Sequence, residues 1–294
     1  MHKYMGLDVN HKISKLAAGL YFVATPIGHA RDITLRALDI LQSADVLVAE
    51  DTRSLRRLMD IHGIALSKRP LISYHDHSTD KTRNRIIDLL RQGKSVAYMS
   101  EAGTPLIADP GYELSQDAIK EQFLLTAAPG CSALLPALML SGLPTDRFLF
   151  EGFLPSSKSA RRAHLERLRT VTATLVFYES PKRLAAMLQD ACETFGDDRQ
   201  AAFCRELTKK FEEVRRGTLR ELCDVANAAT PKGECVVLIG KADKEKINET
   251  DIESEIEAAL KTMSLRDASE AIANAYGLPK RDIYQMALKL AKKE

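Results

Sequence analysis

"VAYMSEAGTPLIADPG", residues 96–111, joins an apolar, strand-like run to a tight turn at 103–105 and a second turn at 109–111. In an α/β protein this position is the carboxyl end of a sheet strand, where loops form a crevice for ligands. The same combination of apolar run and Gly/Pro turn occurs in ATPIGHARD (24–32) and APGCSA (128–133). We therefore expect these loops to lie side by side at one edge of a parallel sheet.

Working outward from this stretch, short β-branched runs alternate with helical periods from Leu20 onward, which predicts a parallel sheet covered on both faces. A turn-rich and then basic segment, 145–170, marks the junction with a second, mixed α/β domain. A charged stretch follows Gly240, and the last residues have the apolar spacing of two helices about a Gly277–Pro279 turn. The predicted domains are an N-terminal extension (1–19), an N-terminal α/β domain (20–145), a C-terminal α/β domain (146–241), and a linker with a small helix-turn-helix-like domain (242–294).

The amino-acid composition says more about the cellular location of the protein than about its function. The 294 residues include 42 Lys plus Arg and 40 Asp plus Glu, and the net charge of +2 excludes neither a small ligand nor a nucleic acid. Five scattered cysteines without a C-x-x-C spacing indicate reduced thiols. No apolar run approaches the roughly 20 residues of a membrane helix. We predict a soluble, cytoplasmic protein that makes no contact with a membrane.

Common nucleotide-binding fingerprints, G-x-G-x-x-G after the first strand and G-x-x-x-x-G-K-[ST], are absent from the sequence. A different series of short motifs covers residues 20–240 almost without a gap. It comprises ATPIG (24–28), DITLRAL (32–38), AEDTR (49–53), SYH (73–75), AGTPLIADPGYEL (102–114), PG-x-SAL (129–134), SGLPTDRFLFEGFLP (141–155), FYESP-x-R (177–183), RELTK (205–209), FEEV-x-RGTL (211–219) and KGE (232–234). Together these motifs resemble the ribosomal RNA small-subunit methyltransferase I family of the tetrapyrrole methylase superfamily, and the tail resembles the helix-turn-helix extension of that family.

The resemblance implies two α/β domains of the tetrapyrrole methylase type, with S-adenosylmethionine held in the cleft between them, and a homodimer. It also implies an enzyme that 2′-O-methylates the ribose of a cytidine in 16S rRNA of the small ribosomal subunit. Carried over motif by motif, the implied donor-binding positions are Pro26, Glu101, Ala102, Gly103, Thr104, Ser132, Ala133, Tyr178, Glu179, Ser180, Leu207, Lys232 and Gly233.

Two positions depart from the family pattern. Glu101 stands where the family usually has Asp, so a short carboxylate contact to the donor does not simply follow. His29 stands where Asn is usual, which keeps the turn but removes any contact from an Asn side chain.

The general base is left open by the sequence. A ribose hydroxyl needs a proton acceptor, and a positioned one adds about 10²- to 10⁴-fold to the rate. The acceptors within family-like motifs are Glu50, Asp51, His75, Glu179 and Glu206. We rank AEDTR and RELTK first because each places an acid beside Arg or Lys. The pair His75–His77 is a weak metal signal, since metal sites need several converging ligands, and Cys131 is more plausible as a packing residue than as a nucleophile.

The basic stretch KSARRAHLERLR (158–169) is the strongest RNA-binding signal, although a solvated helix has the same spacing. The predicted RNA-binding residues are Arg53, Lys158, Arg161 and Arg162. Two alternatives stay open. One is a tetrapyrrole methyltransferase that acts on a porphyrin-like ring, and the other is a non-catalytic RNA-binding relative, for which Glu101 is the supporting feature.

Overall fold

The computed structural model describes residues 12–229, 232–242 and 249–291. The chain divides into two compact units. Unit 1 comprises the residues up to Pro136 together with Glu206–Phe211, and unit 2 comprises the remainder. The boundary at Pro136 falls inside helix α5 (Leu134–Ser141).

Unit 1 is built on a parallel sheet of strand order β3-β2-β4-β1-β5, as the alternation of apolar runs and helical periods predicts. Successive residues of β1 point to opposite faces, so Leu20 packs in one core with α3 and α4 while Tyr21 packs in the other with α1 and α2. The elements are β1 (Gly19–Val23), α1 (Leu35–Ser43), β2 (Val46–Ala49), α2 (Thr52–Ile61), β3 (Leu71–Ser73), α3 (Asp80–Arg91), β4 (Ser95–Met99), α4 (Tyr112–Lys120) and β5 (Leu125–Ala128).

Unit 2 contains a mixed sheet of order β6-β7-β10-β8-β9, in which β6 pairs with β7 in parallel and the other neighbouring strands pair antiparallel. One large core joins the sheet to its helices, and it includes Phe177, Leu188 and Leu222. The elements are β6 (Phe148–Phe153), α6 (Lys158–Leu168), β7 (Thr174–Glu179), α7 (Pro181–Phe195), β8 (Gln200–Arg205), β9 (Glu213–Thr218), α8 (Leu219–Ala228) and β10 (Cys235–Ile239).

Within residues 249–291, the C-terminal tail forms three helices, α9 (Glu249–Leu260), α10 (Leu265–Tyr276) and α11 (Lys280–Ala291). They enclose a small core of their own, which includes Ile256, Ile272 and Ile283. The predicted turn between the last two helices is present, with Gly277 in the left-handed region at φ 59°. Part of the predicted linker, 243–248, lies outside the described residues. No helix in the described ranges is both long and apolar enough to cross a membrane.

Candidate functional site at the carboxyl edge of the parallel sheet

The three Gly/Pro loops of unit 1 meet at one edge of the sheet, which confirms the expectation from their sequences. Thr25 and Gly103 exchange backbone hydrogen bonds of 2.9 and 3.0 Å, which join the loop after β1 to the loop after β4. The hydroxyl of Thr104 donates to the carbonyl oxygen of Cys131 at 2.7 Å, which attaches the loop after β5. Ala133 directly precedes α5. These loops therefore form one connected surface.

The segment Glu206–Phe211, which we call the strap, packs on the loop after β1. A Cβ atom at Gly28 would lie 2.5 Å from Cγ of Lys209 and 2.6 Å from Oγ1 of Thr208, so only glycine allows this approach. The backbone N–H of His29 donates to the Thr208 hydroxyl at 3.1 Å. The RELTK motif thus supplies a backbone segment that covers the ATPIG turn, and Leu207 is buried within it.

The loop after β4 holds an unusual backbone. Gly103 and Gly111 have φ values of 87° and 119°, and the non-glycine residues Leu106 and Ala108 have φ values of 72° and 58°. Left-handed non-glycine residues cost on the order of 1–3 kcal/mol each and persist where the surroundings enforce them, often at functional sites. Tyr98 helps to do so, since its buried hydroxyl donates to the carbonyl oxygen of Pro110 at 2.9 Å.

Asp109 is the titratable group that sequence reasoning missed. Burial and, to a smaller extent, the nearby charge of Glu50 raise its pKa to about 7, although a hydrogen bond from Ser100 opposes the shift. Glu50 is placed by the backbone N–H of Glu101, which donates to its Oε2 at 3.1 Å. The sequence did contain a signal, since Asp109 follows the Gly/Pro turn at 103–105 in the stretch 96–111. A carboxyl group that titrates near neutral pH is suited to accept a proton there.

Three of the predicted base candidates have other tasks in the structure. Asp51 caps α2 by accepting from the backbone of Arg53 at 2.7 Å, and a hydrogen bond from the Arg53 side chain lowers the pKa of Asp51. Glu206 forms an ion pair with Lys209 at 3.0 Å. His75 lies against Ser78, with 3.4 Å between Nδ1 and the hydroxyl oxygen. Asp51 in particular holds its proton too weakly to be a good base near neutral pH.

Glu179, the base candidate that lies in unit 2, is held by local contacts. Its side chain is almost completely buried, and burial raises its pKa. One carboxylate oxygen accepts from the backbone N–H of Ser180 at 2.8 Å and lies 3.3 Å from Nε of Arg183. Arg183 donates in turn to the carbonyl oxygens of Leu154 and Pro155 at 2.6 and 3.1 Å. The FYESP and GFLP motifs therefore hold one loop of unit 2 in place.

Arg161, predicted to contact RNA, requires a correction. It is 5% exposed and donates to Asp190 at 2.7 Å and to the carbonyl oxygen of Ser156 at 3.3 Å. A buried guanidinium paired with a carboxylate is not available to a phosphate. The helical period that places Lys158 and Arg162 on the surface of α6 turns Arg161 inward.

The other RNA-binding predictions lie on the surface. Arg53 is exposed and pairs with Asp51 at 3.1 Å, and Arg162 pairs with Glu193 at 3.0 Å. Lys158 is exposed at the start of α6. The assignment of Arg53, Lys158 and Arg162 as RNA ligands stays a prediction.

The other donor-binding positions predicted in unit 2 are each placed by local contacts. The Tyr178 ring packs edge-on against Phe150 and Phe153, with centroids 4.9 and 5.8 Å apart. The carbonyl oxygen of Lys232 accepts from Arg205 at 3.3 Å, and Gly233 has a φ of 90°. Their role in donor binding stays a prediction.

Two minor hypotheses from the sequence concern Cys131 and the histidine pair. Burial raises the pKa of the Cys131 thiol, and its Sγ donates to the carbonyl oxygen of Asp32 at 2.7 Å, which disfavours a thiolate nucleophile. The rings of His75 and His77 stand 6.2 Å apart. Among the residues that the structure describes, no three His, Cys, Asp or Glu side chains converge as metal ligands would.

A groove in unit 1, which we call the α2 groove, opens beside these loops. Its lining includes Pro26 and Gly28 of the loop after β1, Arg57 and Ile61 of α2, and Glu101 after β4. The groove therefore borders two of the three loops that carry the predicted donor positions.

Comparison with protein families gives two matches. The profile of Tetrapyrrole (Corrin/Porphyrin) Methylases matches residues 19–223, and the profile of the RsmI C-terminal HTH domain matches residues 248–291. Together these segments include the strands of both sheets except β10, and all three helices of the tail.

Individual relatives agree with these profiles. The chain is 46% identical over 276 residues to ribosomal RNA small subunit methyltransferase I of Mesorhizobium japonicum, covering 94% of this chain and 93% of the relative. It is 44% identical over 275 residues to the protein of the same name from Halalkalibacterium halodurans, covering 91% and 93%. Among solved structures, a cobalt precorrin-4 methyltransferase superposes with a TM-score of 0.56 at 16% identity, covering 81% of this chain and 98% of that one. This last likeness supports the fold alone.

Proposed function

Because the chain belongs to the ribosomal RNA small subunit methyltransferase I family of the tetrapyrrole methylases, we propose that it methylates the ribose 2′-hydroxyl of a cytidine in 16S rRNA. The donor is S-adenosylmethionine, which supplies an electrophilic methyl group when it is bound. The observation that carries the proposal is the meeting of the three Gly/Pro loops at the carboxyl edge of the parallel sheet.

The loops of unit 1 fit such a donor. Gly103 adopts a left-handed turn that leaves only ordinary contacts around the position of its missing Cβ, so the backbone there can approach a ligand closely. We propose that Pro26, Ala102, Gly103 and Thr104, with Ser132 and Ala133, hold the donor. Glu101 is exposed and its side chain is free to reach a polar group of the donor, which offsets its departure from the usual Asp.

The protein's remaining tasks are to orient the ribose and to take its proton. Orientation contributes roughly 7–11 kcal/mol in well-placed reactions. Glu50 and Asp109 have no Arg or Lys partner within the described part of the chain, and they lie near the loop that carries Gly103. We propose that this carboxylate pair accepts the hydroxyl proton, because Asp109 can take up and release a proton near neutral pH.

We also propose that the enzyme acts as a homodimer in the cytoplasm, where small subunits are found. The support for a dimer is an exposed apolar side of α5, on which Met139 is 81% exposed.

Calorimetric titration with S-adenosylmethionine and S-adenosylhomocysteine, followed by transfer to small subunits that lack ribose methylation, tests the proposal. We expect binding of both ligands and formation of 2′-O-methylcytidine in the RNA. Donor binding without transfer to RNA would favour the tetrapyrrole acceptor. A chain that binds no donor would contradict the proposal and favour the non-catalytic relative.

A further inference from the structure

The α2 groove combines an apolar floor with a positive wall. Leu55 is buried at its base, Leu58 lines it half-buried, and Ile61 is 52% exposed at the end of α2. An isoleucine that is half in solvent and borders a groove offers a surface on which the flat face of a base or the carbons of a ribose can pack. Arg57 lines the same groove from the same helix.

The arginines of α2 differ in whether a carboxylate pairs with them. Arg53, in the first turn, is held by Asp51 at 3.1 Å. Arg56 and Arg57, one turn later, are exposed, and no other described residue forms a hydrogen bond or ion pair with either side chain. Exposed guanidinium groups without a carboxylate partner are suited to bind phosphate, often with two parallel hydrogen bonds.

The wall that the loop after β4 contributes has the reverse charge. Glu101 lines the groove and is exposed, and Glu50 and Asp109 lie behind it around Ser100. A phosphate is repelled from this wall and attracted to α2, whereas a neutral hydroxyl suits the carboxylates. The groove is therefore positive at α2, where it can attract a phosphate, and negative at Glu101, where it can accept a ribose hydroxyl.

We propose that the α2 groove binds the acceptor nucleotide of single-stranded RNA, with its phosphate on Arg57 and Arg56 and its ribose toward Ser100 and Glu101. This inference rests on the proposed function. The base packs against Leu58 and Ile61, a contact that accepts any base because it uses the face rather than the hydrogen-bonding edge. The groove therefore positions the nucleotide, and the identity of the base is read elsewhere.

The test is RNA binding at several salt concentrations by the full chain, with deproteinised 16S rRNA as the probe. Each phosphate contact contributes about 0.7 to the slope of log affinity against log salt for single strands. We expect Arg57→Gln to weaken binding and to reduce the magnitude of the slope by about 0.7, and Arg56→Gln with Arg57→Gln by about 1.4. The KM for small subunits should rise in both variants, because the contact is made in the ground state as well as in the transition state.

A second variant probes the apolar floor independently of the arginines. Ile61→Glu places a negative charge in the groove and should weaken RNA binding, while Ile119→Glu should not. Ile119 is a matched control, since it is also 52% exposed on a helix of unit 1 but lies on α4, which covers the other face of the sheet. Arg85→Gln, exposed on α3, is the corresponding control for charge.

The outcomes separate this inference from the proposed function. Wild-type salt slope and KM in Arg57→Gln and Ile61→Glu, with an active wild-type enzyme, would overturn the groove while leaving the function intact. A loss of S-adenosylmethionine binding in these variants would assign the groove to the donor and also overturn it. A wild-type chain that binds no RNA would remove the proposed function, and the groove with it.

Discussion

Asp109 lies in the strained loop after β4, and its carboxyl group is held in a setting that disfavours charge. Its pKa of about 7 in the folded chain exceeds the ordinary value of 3.8, so the folded state binds this proton more tightly. The stability that the protonated group contributes is complete below about pH 4 and is lost as the pH rises to 7. Asp109→Asn should therefore match the wild type near pH 4 and exceed it in free energy of unfolding at pH 8.

Urea unfolding at pH 4, 6 and 8 measures this difference, which should grow and then level off above pH 7. Asp224→Asn, an exposed position on α8, serves as the control and should give no such trend. A difference in the free energy of unfolding between Asp109→Asn and wild type that stays constant across this pH range would show that burial does not raise the pKa of Asp109.

Gly103 gives the second prediction at this scale. Gly103→Asp places a side chain and a charge in the turn that joins two loops, at a φ of 87°, and should abolish donor binding. Gly93→Asp is the matched control, because Gly93 is also left-handed at φ 75° but has open space around its Cβ position. We expect both variants to lose on the order of 1 kcal/mol of stability from backbone strain, so calorimetry should show loss of donor binding in Gly103→Asp alone. Equal donor affinity in the two variants would remove Gly103 from the site.

The parallel sheet of unit 1 could be predicted from the sequence because its apolar strands and amphipathic helices are local patterns. Strand β6 could not be, since a bulge between Phe150 and Gly152 interrupts its alternation and Gly152 is left-handed at φ 62°. The strap was also missed. Its packing on Gly28 joins residues about 180 positions apart along the sequence, and no local period records such a contact.

The same limit applies to the candidate site. The loops and the glycine turns were recognisable from the sequence, but the partners of each charged side chain were not. Asp51 and Arg161 looked like a base and an RNA ligand because a sequence shows the charge and not the group that neutralises it. Asp109 was overlooked for the converse reason, since only burial distinguishes it from an ordinary turn residue.

The buried pair between α6 and α7 carries a prediction at the scale of elements. Arg161→Gln leaves Asp190 buried without its ion-pair partner, and removing one member of such a pair costs about 3–5 kcal/mol. Arg162→Gln removes a half-exposed pair on the same helix and should cost less than about 1 kcal/mol. Urea unfolding compares them directly. Equal losses would mean that Arg161 is not a structural residue and would reopen its assignment as an RNA ligand.

At the scale of the whole molecule, the proposed assembly can be tested through α5. The sequence LLPALMLS is apolar on every side of the helix, and such helices are usually enclosed by protein. Yet Leu135 is 53% exposed and Met139 81% exposed, one turn apart on the same side. A second copy of the chain is the occupant that we propose for this surface, and Met139→Glu should then give a monomer.

Sedimentation equilibrium at micromolar concentration measures the mass of each variant. Met263→Glu, at an exposed methionine of the tail, is the control and should remain dimeric. When both proteins are compared as monomers, Met139→Glu should have the same urea midpoint of unfolding as the wild type, because a charge on a free surface has little effect on stability. A monomeric wild type would contradict the dimer. A dimeric Met139→Glu would place the interface elsewhere, since a carboxylate buried against apolar α5 has no partner to compensate its desolvation.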